Sequence, residues 1–264
     1  MSRTRRNQLV VTAAAVLWIV GTLIRTGLVG AGGGVEEQGD GLFSDTATLI
    51  APDGPAFSIW SVIYLFLAAY VVWQWLPRSD GSPWALRTQL PAAASLALNG
   101  VWLLVVFAGW VLVSVLVIVA IAIALGVILR RTAELPDEGP WPRVVVSVTF
   151  GLYLGWICVA TCANVALWLV DLGVPAQGRA AGWVTVAVLG VVVVLVAVLL
   201  RLSERVLGTA LAAAVVWGVS WVAVGRLAGE PADAVVGYAA VAAVVLVVLT
   251  WVLAARSPGP RLAR

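Results

Sequence analysis

The chain has 264 residues, of which 62% are hydrophobic and only 11% are charged, and its formal net charge is +3. Soluble domains carry about 45–50% apolar and about 25% charged residues, so this composition excludes an ordinary water-soluble enzyme, a disordered chain and a nucleic-acid-binding domain. It predicts an all-α polytopic membrane protein, because the apolar tracts are about 20 residues long and lack the alternation of a membrane β-barrel.

Eight apolar tracts predict eight transmembrane helices, since a backbone in lipid must satisfy its own hydrogen bonds. The third and fourth tracts are separated by a turn around Gly109 and Trp110, because one helix through both would be twice the membrane thickness. The first tract also fits a signal peptide, and this alternative stays open. The tracts run over about residues 8–29, 56–76, 88–109, 111–129, 144–170, 182–200, 206–225 and 234–255.

The arginines predict how these helices are oriented. All 16 basic residues are arginines, and only Arg25, Arg179 and Arg226 fall on one side of the predicted membrane. The other side, the arginine-rich side, carries the rest and both termini, and the positive-inside rule makes it cytoplasmic. The absence of Lys, together with an excess of Arg, Ala, Val and Gly, is typical of a GC-rich bacterial source. We therefore expect the protein to lie in the bacterial inner membrane.

Missing residue types exclude several kinds of site. The chain has no His and no Lys, which excludes a His-ligated haem, zinc or di-iron site and a lysine Schiff base. Every acidic residue falls in a loop or at a helix end, whereas a proton pump or ion-coupled transporter usually keeps a carboxylate within the membrane. We therefore predict no catalytic residue, no metal site, no required cofactor and no enzymatic activity.

Aromatic residues and two asparagines recur every three or four positions in three tracts, which places each set on one helix face. Three such faces predict a cavity walled by indole and phenol rings, which suits a flat, largely apolar ligand. The alternative is helix packing, with the asparagines hydrogen-bonded between helices. The candidate ligand-binding residues are Trp60, Tyr64, Asn99, Trp102, Tyr153, Trp156, Ala160 and Asn164.

Three further features bear on packing and access. The loop at residues 30–55 is rich in glycine and acidic residues, and it is either a solvated linker or a lid over an external pocket. Gly151 and Gly155 form a pair of small residues that indicates close helix packing or a homodimer. Tryptophans near the ends of the tracts are predicted to be anchors at the membrane surface. These tryptophans are Trp73, Trp75, Trp84, Trp110 and Trp141.

These motifs resemble the TspO/MBR family, the translocator or tryptophan-rich sensory proteins, whose members have five transmembrane helices. The family's Leu-Ala-Leu-Asn-xx-Trp pattern runs from Leu96 to Trp102, and its Tyr-xx-Trp-xxx-Ala-xxx-Asn-xxx-Trp pattern runs from Tyr153 to Trp168. The resemblance covers residues 8–170, so we predict a TspO-like five-helix bundle over 1–172 and a three-helix extension over 173–264. In the second tract the matching residues are Trp60, Tyr64, Ala68 and Trp75.

The resemblance implies a sensory protein that binds a porphyrin, another tetrapyrrole or a different flat hydrophobic molecule. The candidate aromatic rings would then stack on the ligand, and the two asparagines would orient it. A small-molecule permease without its own energy coupling is the alternative, and photochemical breakdown of a bound tetrapyrrole is a further one. The expected partners are the lipid bilayer and the small ligand, with no nucleic acid, and a homodimer is an additional hypothesis.

Overall fold

The computed structural model describes residues 2–25 and 44–256. Helix accounts for 83% of the structure, and these residues contain no β-strand. Eight of their helices are long and apolar enough to cross a membrane, which confirms the predicted all-α polytopic fold. They are α1 (Arg3–Arg25), α2 (Ile59–Trp73), α3 (Pro83–Phe107), α4 (Val111–Thr132), α5 (Pro140–Asp171), α6 (Arg179–Leu202), α7 (Arg205–Ala228) and α8 (Ala234–Arg256).

Two local features shape these helices. The break between α3 and α4 lies where the sequence predicts it, and Gly109 adopts a positive φ of 72° there, a conformation that glycine reaches without strain. Within α5, residues Val144–Val148 form a turn of π-helix, and α2 is preceded by a 3-10 helix over Gly54–Ser58. A π-helical turn widens the helix locally, and α2 packs against this turn as well as against the rest of α5.

The N-terminal helix α1 packs tightly on α3. A Cβ atom on Gly100 would lie 2.6 Å from the carbonyl oxygen of Leu17, and one on Gly21 would lie 2.9 Å from the carbonyl oxygen of Gly100. The two backbones therefore touch, which is the usual way in which transmembrane helices gain van der Waals contact. Trp18 of α1 also meets the ring of Tyr64 edge-on, with the centroids 5.0 Å apart.

The glycine pair of α5 faces α7 of the same chain. A Cβ atom on Gly151 would lie 2.5 Å from the carbonyl oxygen of Leu207, and one on Gly155 would lie still closer to the carbonyl oxygen of Leu211. Only glycine permits this approach of the two backbones. Close packing within the chain is therefore what this small-residue face does in the structure.

The most extensive contacts run through the bundle as a single series of neighbours. Helix α1 packs on α3, α3 on α4, α4 on α5, α5 on α7, α7 on α8, and α8 on α6. The last three helices are thus joined to the first five mainly through the α5–α7 interface. The division into parts at residue 172 stays a prediction.

The predicted membrane-surface tryptophans fall into two groups. Trp75, Trp110 and Trp141 are 38%, 61% and 70% exposed and fit the prediction, but Trp73 and Trp84 are buried inside the bundle. For these two the prediction is wrong, and the indole N–H of Trp84 donates to the carbonyl oxygen of Pro136 at 2.8 Å. Position near the end of a span does not tell whether a side chain faces lipid or a neighbouring helix.

Candidate ligand-binding site

A small cavity of about 70 Å³ lies between α2, α3, α4 and α5, below the segment that precedes α2. Its walls are almost wholly apolar, and α4 contributes to them although no pattern along that helix indicates a site. The residues at the cavity are Ser44, Ala47, Thr48, Ala51, Pro52, Phe57, Trp60, Asn99, Trp102, Ile118, Ile121, Trp156, Ile157, Ala160, Ala163, Asn164 and Leu167.

Six of the eight candidate ligand-binding residues lie at this cavity, and two lie behind its wall. Tyr64 and Tyr153 do not line the cavity, but both pack on the ring of Trp60, with centroid distances of 5.2 Å and 5.9 Å. The two tyrosines thus lie behind Trp60, one layer further from the cavity. The six that line it are Trp60, Asn99, Trp102, Trp156, Ala160 and Asn164.

The aromatic wall is a packed cluster rather than a set of separate rings. Trp60 meets Trp156 edge-to-face at 6.1 Å between centroids, and Phe57 meets Trp156 in the same way at 5.7 Å. Such pairs contribute about 0.5–1.5 kcal/mol beyond the burial of their area. The cluster therefore gives the cavity a firm wall that presents both ring faces and ring edges.

Asn99 joins three helices by hydrogen bonds. Its Nδ2 donates to the hydroxyl of Tyr153 at 2.8 Å, and its Oδ1 accepts from the hydroxyl of Tyr64 at 3.5 Å. The hydroxyl of Tyr153 in turn donates to the carbonyl oxygen of Ser95 at 3.4 Å. Asn99 thus connects α3 with α2 and α5, as expected for a polar side chain within a helix bundle.

Asn164 has a corresponding role between α4 and α5. Its Oδ1 accepts from the hydroxyl of Ser114 at 3.0 Å, and its Nδ2 donates to the carbonyl oxygen of Ala160 at 3.0 Å. Both asparagines therefore already have partners within the protein. A ligand that used either amide would compete with an interhelical hydrogen bond.

Three donors on residues of the cavity wall have no partner. The indole N–H groups of Trp102 and Trp156 and the hydroxyl of Thr48 are buried and make no hydrogen bond to any residue that the structure describes. Each unpaired buried polar group costs about 1–3 kcal/mol. An acceptor that reached these groups would remove that cost, so the wall favours a ligand with acceptor atoms.

The segment at residues 44–58 forms the cover of the cavity. The backbone N–H of Gly54 donates to a carboxylate oxygen of Asp45 at 2.9 Å, which closes the segment on itself. Ala47, Thr48 and Pro52 within it line the cavity. The lid hypothesis concerned residues 30–55, and the part of that loop before residue 44 lies outside the described residues.

Helix α7 holds this cover in place. The indole N–H of Trp217 donates to the carbonyl oxygen of Ala56 at 2.9 Å. The backbone N–H of Asp53 donates to the carbonyl oxygen of Trp221 at 3.3 Å, and the rings of Trp217 and Trp221 pack edge-on at 5.6 Å. The C-terminal helices thus contact the cover that lies over the cavity of the first five.

Arg226 adds a charged contact at the same end of α7, and the sequence analysis missed it. The side chain is 1% exposed, and its Nη2 donates to the carbonyl oxygens of Asp45 at 3.3 Å and Glu230 at 3.4 Å. The negative charges of Asp45, Asp53, Glu230 and Asp233 stabilise the guanidinium. An arginine in the last turn of an apolar helix, on the side with few arginines, was the signal for this contact.

The cavity holds no metal-binding set. Among residues 2–25 and 44–256, no group of three His, Cys, Asp or Glu residues is placed to hold a metal ion. Cys158 and Cys162 are both free thiols, one helical turn apart on α5. The chemistry that the cavity offers is ring packing and hydrogen bonding.

Comparison with known protein families identifies a family whose model covers most of the chain. The model of a family described as TSPO-like protein matches residues 8–253 of this chain. The matched region runs through all eight helices and continues well beyond residue 170, where the motif resemblance ended. No curated protein and no solved structure matches the chain.

Proposed function

We propose, since the chain belongs to the family of TSPO-like proteins, that it is a membrane protein that binds a small hydrophobic ligand in the aromatic cavity. Membership of this family suggests a membrane ligand-binding protein, and the family is generally not enzymatic. The observation that carries the proposal is the set of unpaired donors on Thr48, Trp102 and Trp156 around an otherwise apolar cavity.

The wall defines the class of ligand. The rings of Trp60 and Trp156 favour a flat, conjugated molecule, because such a molecule gains contact with ring faces and edges. The unpaired indole N–H groups favour acceptor atoms on that molecule. The ligand we propose is therefore planar and largely apolar, with one or more hydrogen-bond acceptors at its edge.

The size of the cavity limits what can enter without movement. Its volume of about 70 Å³ is far below the volume of about 300–1,000 Å³ that pockets for drug-sized ligands have. A porphyrin or another tetrapyrrole can bind only after the cover at residues 44–58 moves away. We therefore propose that the cover opens when a tetrapyrrole binds, and that α7 sets the free energy of this opening.

The arginine distribution gives the direction of access. If both termini are in the cytoplasm of a bacterium, as the positive-inside rule predicts, the cover would lie on the periplasmic side of the inner membrane. The ligand would then enter from outside the cell or from the outer leaflet.

Titration of the purified protein with protoporphyrin, followed by the quenching of tryptophan fluorescence, tests the proposal. We expect saturable quenching at low-micromolar ligand in the native chain and its loss in Trp156→Ala/Asn164→Ala. The control is Trp183→Ala, because Trp183 is 58% exposed on α6 and does not line the cavity. Circular dichroism checks that each variant keeps its helix content.

Two results would contradict the proposal. Equal binding by the native chain and the double variant would place the porphyrin site elsewhere. Absence of saturable quenching would exclude porphyrin as the ligand. The alternative that the protein is a small-molecule permease would then be favoured.

A further inference from the structure

A second cavity of about 630 Å³ lies at the arginine-rich side, away from the aromatic cavity. It is bounded by the last turns of α4, α6 and α8 and by the first turns of α5 and α7. Its volume falls in the range of about 300–1,000 Å³ that is typical of small-molecule pockets. It is thus about nine times as large as the aromatic cavity.

The polar part of this second cavity is basic. Its charged residues are Arg143, Arg201, Arg205 and a single acid, Glu204, and Arg143 is ion-paired with Asp137 at 3.1 Å. The carboxylate of Glu204 accepts from the first backbone N–H groups of α7, at 2.7 Å and 2.9 Å, and so caps that helix. Arg201 makes no ion pair with any residue that the structure describes. In the part of the chain that the structure describes, the positive charge of Arg201 is therefore not neutralised by an acidic partner.

One part of the wall, between α6 and α8, carries apolar side chains. Ala197 and Leu200 of α6 and Trp251 and Ala254 of α8 line it. The indole N–H of Trp251 donates to the hydroxyl of Thr209 at 3.0 Å, which fixes the ring at the mouth of the cavity. A basic mouth at the headgroup level above an apolar wall matches an amphiphile with an anionic head.

A third cavity on the same side provides a comparison. It is of similar size, about 750 Å³, but its charged residues are Arg78, Asp80 and Glu138. Acidic groups outnumber the arginine there, so an anion gains no net attraction. The two cavities thus differ in charge although both lie on the arginine-rich side.

We infer that the second cavity binds an anionic phospholipid, with its phosphate at Arg201 and Arg205 and its acyl chains along α6 and α8. Basic pockets between transmembrane helices recognise the heads of anionic lipids in this way. The inference does not depend on the ligand of the aromatic cavity.

Native mass spectrometry of the full chain in detergent tests this inference with phosphatidylglycerol and phosphatidylcholine as probes. We expect phosphatidylglycerol to bind more tightly by about thirtyfold, since each arginine near an anionic lipid contributes about a factor of five. Arg201→Gln/Arg205→Gln should lose this preference, and the Arg→Lys double variant should keep most of it. The matched control is Arg78→Gln/Arg87→Gln, which removes the same charge from the same side.

A separate measurement tests where the lipid binds. Phosphatidylglycerol brominated in its acyl chains should quench the fluorescence of Trp251, seen as the difference between the native chain and Trp251→Phe. Equal binding of the two lipids, retention of the preference in Arg201→Gln/Arg205→Gln, or its equal loss in the control would overturn the inference. Displacement of the lipid by an equal concentration of glycerol phosphate would also overturn it, because the site would then bind a soluble phosphate.

Discussion

Replacement of Trp217 by phenylalanine should loosen the cover of the aromatic cavity without disturbing the cavity itself. The substitution removes the hydrogen bond from the indole N–H to the carbonyl oxygen of Ala56, 2.9 Å long. The phenyl ring can keep the edge-on contact with Trp221. The change therefore acts on the contact between α7 and the cover.

The size of the effect follows from the hydrogen bond. A typical intramolecular hydrogen bond contributes about 0.5–1.5 kcal/mol net, which at room temperature changes the opening equilibrium by about two- to twelvefold. If the cover must open before a tetrapyrrole enters, the association rate should rise by the same factor. The cavity residues stay unchanged, so the dissociation rate should stay the same and the dissociation constant should fall by the factor by which the association rate rises.

Two assays measure this effect. Amide hydrogen exchange at Gly54, whose N–H is bonded to Asp45 within the cover, should accelerate by about two- to twelvefold. Stopped-flow quenching by protoporphyrin should show the matching increase in association rate. The control is Trp183→Phe, at an indole that is 58% exposed on α6.

One result would refute the reasoning about the cover. If Gly54 exchanges at the native rate in Trp217→Phe while the protein keeps its melting temperature, then α7 does not hold the cover closed. Faster exchange with an unchanged association rate would instead show that the ligand does not enter through the cover.

Four other substitutions test the packing of the bundle and of the cover. Gly155→Val should lower the melting temperature strongly, because the valine side chain would overlap the backbone of α7. Gly126→Ala is the control and should have little effect, since a Cβ there meets nothing within 4 Å. Arg226→Met should make the cover more sensitive to proteolysis, because the carbonyl oxygen of Asp45 loses its donor; cleavage at the native rate would contradict this contact. Asn99→Ala should destabilise the protein by about 0.6–1.7 kcal/mol in a detergent unfolding titration, the range of interhelical hydrogen bonds in membranes.

The sequence predicts most of the helices because lipid leaves the backbone few choices. Tracts of about 20 apolar residues must be helical, and Gly109 marks a turn because the two tracts around it are too long for a single span. The side chains are harder to place. Trp84 stands at the end of a span like Trp141, yet one is buried and the other is exposed, because the neighbouring loop folds over Trp84.

The cavity shows which site residues a pattern can indicate. Aromatic and amide residues stand out against aliphatic neighbours, so spacing along a helix groups them on one face. Ile118 and Ile121 of α4 line the same cavity, but α4 is aliphatic on all sides and shows no distinct face. The buried position of Arg226 depends on the contact of α7 with residues far away in the sequence, which periodicity within one helix does not report.

The packing of α5 on α7 has a consequence for how the protein responds to dilution. The glycine face of α5 meets a helix that the same chain supplies, so the contact forms at an effective concentration that the linking chain sets. A contact between separate subunits weakens by mass action when a protein is extracted into a large volume of detergent. The α5–α7 contact is independent of protein concentration, and the cover that α7 holds should therefore stay closed at any dilution in which the chain remains folded.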